Sequence, residues 1–522
     1  MADKIATGQE IDDRFKTLVN NATAARVVSQ AVEGTIGPKG LDTMMVDSFG
    51  DVVITNDGVT ILKLMEINHP AAQMIINTAK AQQEEVGDGT TTATIMAAAM
   101  IAEGLDQVLK GVPVTRILEG IRLGAEHGIR EIERCSRQVS GWEDPLLSQV
   151  AAVAGRGDQD LARLVIRAGA IIGPDKMREP GFKFEDSIVA QENVGSEVVL
   201  GVIINRKPVN RDMPSRVENV KILVLDDSLK PEELGEGALR TESGFQKHME
   251  WREIYHQNLV KIRDLGVNLI LVDRSIDDLA EEILTDAGIM VVQRVSHREL
   301  RRASEHTGAR MIKRNALNRE PSQLERCLGR ADLVEYREDL DNIRITGGKG
   351  QETATILVGA ATSEVVEERE RMAKDAAAAV QAALKGGVVP GGGAIEVWTA
   401  SVLGNLAREI KGMTSYGVLC VKEALEKPFA CIMSNAGLNP LEKLVELASS
   451  QNEHQSCEWA IDCDTGQVVE TAQTGIWDPA LVKIKALQAA SEVAAAILRI
   501  NTVIKKRDMR SPAGNVDSDI VR

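Results

Sequence analysis

The order in which segment types follow one another constrains this chain more than any single motif does. Apolar residues recur at helical spacing from about Phe15 to Gly34 and from Pro70 to about Gln138, and nearly everything to about Trp142 reads as α. Met44 to Asp47 and Val52 to Thr55 interrupt this as two strands around Ser48-Phe49-Gly50-Asp51, a hairpin signal. Between about Glu143 and Pro214 one helix, Gln159 to Ile172, gives way to strand-like stretches at Ser187 to Gln191 and Glu197 to Asn205. Short β-branched strands at Val220 to Asp226, Leu269 to Asp273 and Met290 to Val295 then alternate with helical segments, the pattern of an α/β domain. An acidic helix from Glu364 to about Leu384 runs into Gly386-Gly387-Val388-Val389-Pro390-Gly391-Gly392-Gly393. The chain is helical again to Gly437, forms a strand-like pair around Asp464-Thr465-Gly466, and ends in a helix from Pro479 to Arg499. The sequence α, mixed, α/β, mixed, α is symmetric. It suggests nested insertion, with the first and last segments forming one domain, and 522 residues suffice for about three.

Composition narrows the function classes. Hydrophobic residues make up 43% but aromatics only 3%, so Ala, Val, Ile, Leu and Met must do the packing. A formal charge of −16 argues against a general nucleic-acid binder, because phosphate contact needs a basic footprint. The cysteines (Cys135, Cys327, Cys420, Cys431, Cys457, Cys463) contain no C-x-x-C pair and are scattered like reduced thiols of a cytoplasmic protein. Met1-Ala2-Asp3-Lys4 does not open a signal pattern, and the apolar run Ala93 to Ala102, broken by Thr94, is too short to span a bilayer. The expectation is a soluble, cytoplasmic chain without membrane or nucleic-acid partners.

The most informative local stretch is Gly87-Asp88-Gly89-Thr90-Thr91-Thr92, where a helix should begin. Amide groups and the helix dipole at such a start attract phosphate. Asp88 would repel it unless a divalent cation stood between them, and Mg²⁺ is commonly held by one or two carboxylates plus phosphate oxygens. The competing reading is a plain helix cap by Asp88 or Thr90, of about equal weight on this stretch alone. Other phosphate and metal motifs are absent: Gly347-Gly348-Lys349-Gly350 lacks the earlier glycine of a Walker loop and reads as a hairpin turn, and no Cys/His cluster has zinc spacing. Asp462-Cys463-Asp464-Thr465-Gly466 resembles the start of a calcium loop but lacks its later ligands. Four acids remain beside Gly- or Thr-rich turns: Asp57 in Thr55-Asn56-Asp57-Gly58, Asp88, Asp375 on the helix before the triple glycine, and Asp478 in Trp477-Asp478-Pro479. Each alone is weak, since turn acids are usually turn formers and helix acids usually solvated. From Glu242 to Leu265 an amphipathic segment places Trp251, Tyr255, Leu259 and Ile262 on one stripe with Phe245 and Met249 nearby. Such stripes are mostly core faces, although three of the chain's few aromatics on one helix raise the odds of a binding face.

Taken in order, Gly37-Pro38-Lys39-Gly40, Thr55-Asn56-Asp57-Gly58, Gly87 to Thr92, Gly391 to Gly393 and Trp477-Asp478-Pro479 closely resemble the nucleotide-site motifs of a chaperonin, over essentially the whole chain. The segment 242–263, with Gly266-Val267-Asn268-Leu269, Ile276-Asp277-Asp278-Leu279-Ala280 and Ile497-Leu498-Arg499-Ile500, looks like the group II type, and a bacterial lid-containing subset is compatible. The resemblance implies a multidomain α and β chaperonin fold: a mainly α-helical equatorial ATP-binding domain from residues 1–143 and 400–522, a mixed α+β intermediate hinge domain from 144–214 and 363–399, and an α/β apical substrate-binding domain from 215–362 with a helical lid protrusion at about 242–265. It implies ATP and Mg²⁺ as cofactors. Asp88 would ligate the metal; Gly89, Thr90, Thr91 and Thr92 would cradle phosphates; Thr35, Gly37 and Pro38 would line the phosphate turn; Gly392 and Asp478 would contact the nucleoside; Asp462 and Asp464 would lie on the adenine side. Asp375 would activate the attacking water with Asp57 assisting, and Arg156 falls where group II members usually carry a γ-phosphate-sensing Lys. Phe245, Met249 and Trp251 would serve the lid and client capture.

Against the family pattern, Thr43 stands where group II commonly has Lys, and Asn501-Thr502 replaces an acidic pair. The implied function is an ATPase-driven chaperone that encloses unfolded polypeptide in a homo-oligomeric stacked double ring, without a separate co-chaperonin. The alternatives are an ATP-binding ring scaffold or holdase without a productive cycle and, lower, a small-molecule kinase.

Overall fold

The structure, a computed structural model, describes residues 15–46, 50, 52–232 and 242–503. Helices Lys16–Glu33, Pro70–Val86, Thr90–Leu109 and Val114–Cys135 from the first part of the chain pack with Ala394–Glu409, Thr414–Asn435 and Ala480–Leu498 from the last. They share one continuous core in which Ile75, Met96, Ile101, Ile117 and Ile121 meet Leu403, Val421, Leu425, Leu487 and Ile497. Burying such a side chain contributes roughly 1.5–3 kcal/mol, so neither half of this body retains its core without the other. The scarcity of aromatics has a visible counterpart: helices approach through alanine and glycine. At the tightest crossing, a Cβ added to Gly120 would lie 2.1 Å from the Thr414 carbonyl oxygen and 2.6 Å from the Gly417 Cα.

A second core surrounds the helix Ser363–Gly386, whose Ala373, Ala376, Ala377 and Val380 face Leu147, Val150, Leu161, Val165 and Phe184. It is closed by a three-stranded sheet in which Ala354–Ala360 is central, parallel to Ile188–Glu192 and antiparallel to Glu197–Leu200. Beyond it lies a six-stranded sheet in the order Val202–Ile204, Asn342–Thr346, Gly329–Arg337, Arg216–Leu225, Leu269–Val272, Met290–Val292. Its last three strands run parallel, with helices between them and separate apolar clusters on the two faces, which is the α/β pattern read from the sequence.

Two expectations change. Gly347 to Gly350 is not a hairpin turn: the flanking strands Asn342–Thr346 and Ala354–Ala360 belong to different sheets, and the glycines form the strap between them. The Gly348 N–H donates to His306 Nε2 at 3.1 Å and the Gly350 N–H to the His306 carbonyl at 2.8 Å. From the same helix, His297–Thr307, Arg298 pairs with Asp186 at 2.8 Å and Arg302 donates to the Asp186 and Ala354 carbonyls, so the two sheets are clasped together. The aromatic stripe on Glu242–Asp264 also divides. Tyr255, Leu259 and Ile262 are core, whereas Phe245 and Met249 are 57% and 52% exposed and Trp251 is half-buried beneath Lys247. The hairpin at 43–55 forms as Thr43–Val46 paired with Val52–Thr55 in antiparallel register; its tip residues 47–49 and 51 lie outside the described residues.

Gly120→Leu tests the reciprocal helix crossing. The side chain has no space to enter, so overpacking is expected to cost about 3 kcal/mol or more, read as a lowered thermal transition of the helical body. An unchanged transition would show that the helices separate freely.

Candidate nucleotide site

The site is built on the Gly87–Gly89 turn. The helix Pro70–Val86 ends at Gly87 and the helix Thr90–Leu109 begins at Gly89, both glycines in the left-handed region with φ 79°. Two such residues flanking one acid reverse the chain tightly at no Cβ cost. Gly89 provides no side-chain cap for the second helix, so neither Asp88 nor Thr90 plays the capping role weighed from the sequence. The first-turn amides of Thr90, Thr91 and Thr92 have no partner within their own helix. Asp88 folds back instead, accepting from the Gly89 N–H.

Three other segments close on this turn. A Cβ on Gly87 would lie 2.6 Å from Ala378 Cβ and 3.4 Å from Glu185 Oε2, which places the Ser363–Gly386 helix, with Asp375 one turn before Ala378, directly over the turn. A Cβ on Gly58 would lie 2.3 Å from Thr91 Oγ1, which seats the Thr55–Gly58 turn against the helix start. Asp57 caps the short helix Gly58–Leu64, accepting from Val59 N at 3.3 Å, Thr60 N at 3.0 Å and Thr60 Oγ1 at 2.5 Å. Its reading as a turn former and as part of the site therefore coexist. Arg156, in the left-handed region at φ 54°, pairs with Glu368 on the Asp375 helix and donates to Asn56 Oδ1, next to Asp57.

These acids act on one another electrostatically. Burial and the charges of Asp88 and Asp57 push the Asp375 carboxyl well above the usual range, with Arg156 opposing. Asp88 is raised by burial and by Asp478 and Asp57, against the Gly89 N–H and Lys483. Among the described residues, no group of three or more His, Cys, Asp or Glu side chains is spaced to hold a metal ion. Two like-charged acids beside uncapped amides do suit a hard cation shared with phosphate oxygens.

The other half of the site lies across the short pairing of Val388–Pro390 with Trp477–Pro479. A Cβ on Gly391 would lie 2.8 Å from Asp478 Oδ1, and one on Gly392 3.6 Å from Ile476. Cβ atoms on Gly393 and Gly37 would meet Phe429 and Ile432, one turn apart on Thr414–Asn435, so that helix carries both glycine turns. Thr35 bonds back to the Val32 carbonyl at 2.9 Å, and the turn through Pro38 closes by Gly40 N–H to Gly37 O at 3.0 Å. Asp462 spends both carboxylate oxygens on its own turn, at Asp464 N and Thr465 Oγ1, and Asp464 pairs with Lys39 at 2.5 Å. Phe245, Met249 and Trp251 lie on Glu242–Asp264, the helix whose Tyr255, Leu259 and Ile262 pack into the core of the six-stranded body.

Sequence reasoning missed Lys483, Glu396, Gln82 and Glu185. Lys483 pairs with Asp478 at 2.7 Å and with Glu396, 2% exposed, at 2.8 Å. In the sequence it is one more lysine on an amphipathic helix; only its neighbours' burial distinguishes it.

The chain matches the model of the TCP-1/cpn60 chaperonin family over residues 28–508, and it belongs to that family. It is 36% identical to the thermosome subunit beta of Archaeoglobus fulgidus over 511 residues, 95% of this chain and 93% of that one. It is 34% identical to a thermosome subunit of Methanopyrus kandleri over 506 residues, covering 94% and 92%. A crystal structure described as a group III chaperonin in the open state superposes with a TM-score of 0.82 at 44% identity, over 95% of this chain and all of that one. Among the described residues no helix is long and apolar enough to cross a membrane.

The raised carboxyls give a signed prediction. The folded state holds these protons more tightly than the unfolded chain, so stability falls as pH rises from about 4 through the raised folded values. In nucleotide- and Mg²⁺-free protein, Asp375→Asn should therefore melt higher than wild type near pH 7.5, and the gap should shrink towards pH 4, where the wild-type acid is itself neutral. A variant that melts lower at pH 7.5 would contradict a repulsive acid cluster.

Proposed function

We propose that this chaperonin subunit binds ATP with Mg²⁺ at the Gly87–Gly89 turn, hydrolyses it, and couples the cycle to the folding of enclosed polypeptides. The observation that carries the reading is the convergence of Asp57, Asp88 and Asp375 from three separate elements on a turn whose following amides are uncapped. A bound Mg²⁺ would neutralise phosphate charge between Asp88 and the nucleotide. Asp88 would hold it, Gly89, Thr90, Thr91 and Thr92 would receive the phosphates, and Thr35, Gly37 and Pro38 would line the adjoining turn. Gly392 and Asp478 hold the nucleoside, with Asp462 and Asp464 towards the base. Asp375, held high in proton affinity, orients the attacking water and accepts its proton, and Asp57 shapes the same face. Phosphoryl transfer depends mainly on positioning and charge neutralisation, which this set supplies. Arg156, anchored to Glu368 and Asn56, stands where it can register the terminal phosphate. Arg adds bidentate reach to the single charge of a Lys.

In this reading residues 1–143 and 400–522 form the equatorial domain, 144–214 and 363–399 the hinge, and 215–362 the apical domain. The exposed Phe245 and Met249 with Trp251 meet clients and close the chamber. Copies of one chain stack as a double ring in the cytoplasm, with no added cap. An ATP-binding scaffold without turnover is less favoured, since it has no use for an acid at Asp375.

Asp375→Ala is expected to lower steady-state ATPase turnover by about 10²–10⁴-fold while nucleotide still binds; undiminished turnover would remove Asp375 from the chemistry. Separately, the purified protein with ATP and Mg²⁺ alone should refold a denatured client, measured as recovered client activity. Recovery only on adding a cap protein would overturn the built-in lid.

A further inference from the structure

Lys483 sits on the inner side of the Ala480–Leu498 helix with its side chain 11% exposed. Its ammonium bridges Asp478 Oδ2 and Glu396 Oε1, joining the strand that carries Asp478 to the helix that follows the triple glycine. Replacing a buried ion pair by apolar residues is often neutral or stabilising, so such a pair is weak grounds for stability; fixing a register is its better-attested use. What is registered here can be read from the neighbours. With Oδ2 held by Lys483, Asp478 turns Oδ1 towards the Gly391 backbone, where a side chain would collide at 2.8 Å.

The residue before Lys483 ties the same helix to the other half of the site. Gln82, 2% exposed, donates from Nε2 to the Asp88 carbonyl at 2.9 Å and to the Val482 carbonyl at 3.4 Å. A Cβ on Gly89 would lie 2.6 Å from Val482 Cγ1 and 3.1 Å from Gln82 Nε2. Successive residues of one helix thus set the Asp88 turn through Val482 and the Asp478 carboxylate through Lys483.

We propose that Lys483, anchored by Glu396, is a positioning residue that orients Asp478 so that one carboxylate oxygen meets a hydroxyl of the bound nucleoside, at a spacing from Asp88 fixed by the Gln82–Val482 contact. This rests on the ATP-site reading above. The chemistry of a carboxylate with one oxygen already committed favours a neutral hydroxyl donor over a phosphate, which it would repel. The ligand feature selected is therefore a sugar hydroxyl, and the effect falls on affinity rather than on the chemical step.

The test uses assembled protein and three nucleotides: ATP, 2′-deoxy-ATP and 3′-deoxy-ATP. Lys483→Met alone would strand the buried Glu396 charge, so the principal variant is the pair Lys483→Met with Glu396→Gln. It should raise KM for ATP about tenfold or more with kcat changed less than about threefold. For the analogue lacking the contacted hydroxyl the KM penalty should fall below about twofold, and Lys483→Arg should restore most of the ATP affinity. An equal penalty on all three nucleotides, an unchanged KM, or a loss confined to kcat would overturn the assignment. If the double variant does not assemble, Glu396→Gln alone carries the same test, with a KM rise of about threefold that again disappears for one deoxy analogue. Wild-type protein that neither binds nor hydrolyses ATP would instead defeat the underlying ATP-site reading, which separates the two failures.

Discussion

Three carboxylates that repel one another set the terms for much of this structure. Asp57, Asp88 and Asp375 arrive from a short helix cap, a glycine-bracketed turn and the long helix Ser363–Gly386, and burial raises the cost of charge on Asp88 and Asp375. The charges of Arg156 and Lys483 and the Gly89 N–H oppose that repulsion only in part, since the Asp88 and Asp375 carboxyls stay raised. The cluster persists because the surrounding backbone leaves it no alternative: Gly87 admits Ala378, Gly58 admits Thr91, and Gln82 pins the Asp88 carbonyl. Strain of this kind is held by packing elsewhere and is a common price of function. The large alanine-rich cores are the source of that packing energy.

The acids also lie on different bodies. Asp88 follows a helix of the first core, while Asp375 belongs to the helix around which the second core is built. Their approach therefore reports how one body is seated on the other. Arg156, paired with Glu368 two turns before Asp375 on Ser363–Gly386, donates to Asn56 across the same junction. A change in the seating of that helix would alter the charge environment of the turn, and a change in charge at the turn would be felt by the helix.

Much of this could be read from residue order. The two helical ends, the α/β centre, the hairpin ending at Thr55 and the helix before the triple glycine all carry strong local periodicity, and the structure has them close to where the pattern puts them. The Gly87–Thr92 stretch was legible as a turn opening a helix, which the structure has, while on its own it left a metal–phosphate site and a plain cap equally weighted. What escaped were features defined by partners distant in sequence. Lys483 and Glu396 look solvated until burial is known, and Gln82 is ordinary until its two carbonyls are seen. The strap at Gly347 to Gly350 mimicked a hairpin because turn chemistry does not reveal which sheet the next strand joins. The Phe245 to Ile262 stripe was continuous in period but not in burial, because the helix runs past the end of the body it packs on.

The shared core of the first and last helices also has a consequence for synthesis. A ribosome delivers Ile75, Met96, Met100 and Ile101 long before Leu487 and Ile497, the residues that cover them. The second core and the six-stranded body, built from the interval between them, can condense while the leading helices wait with apolar faces uncovered. The nascent chain thus passes through a prolonged stage as an incompletely folded polypeptide of the kind that its family receives as cargo.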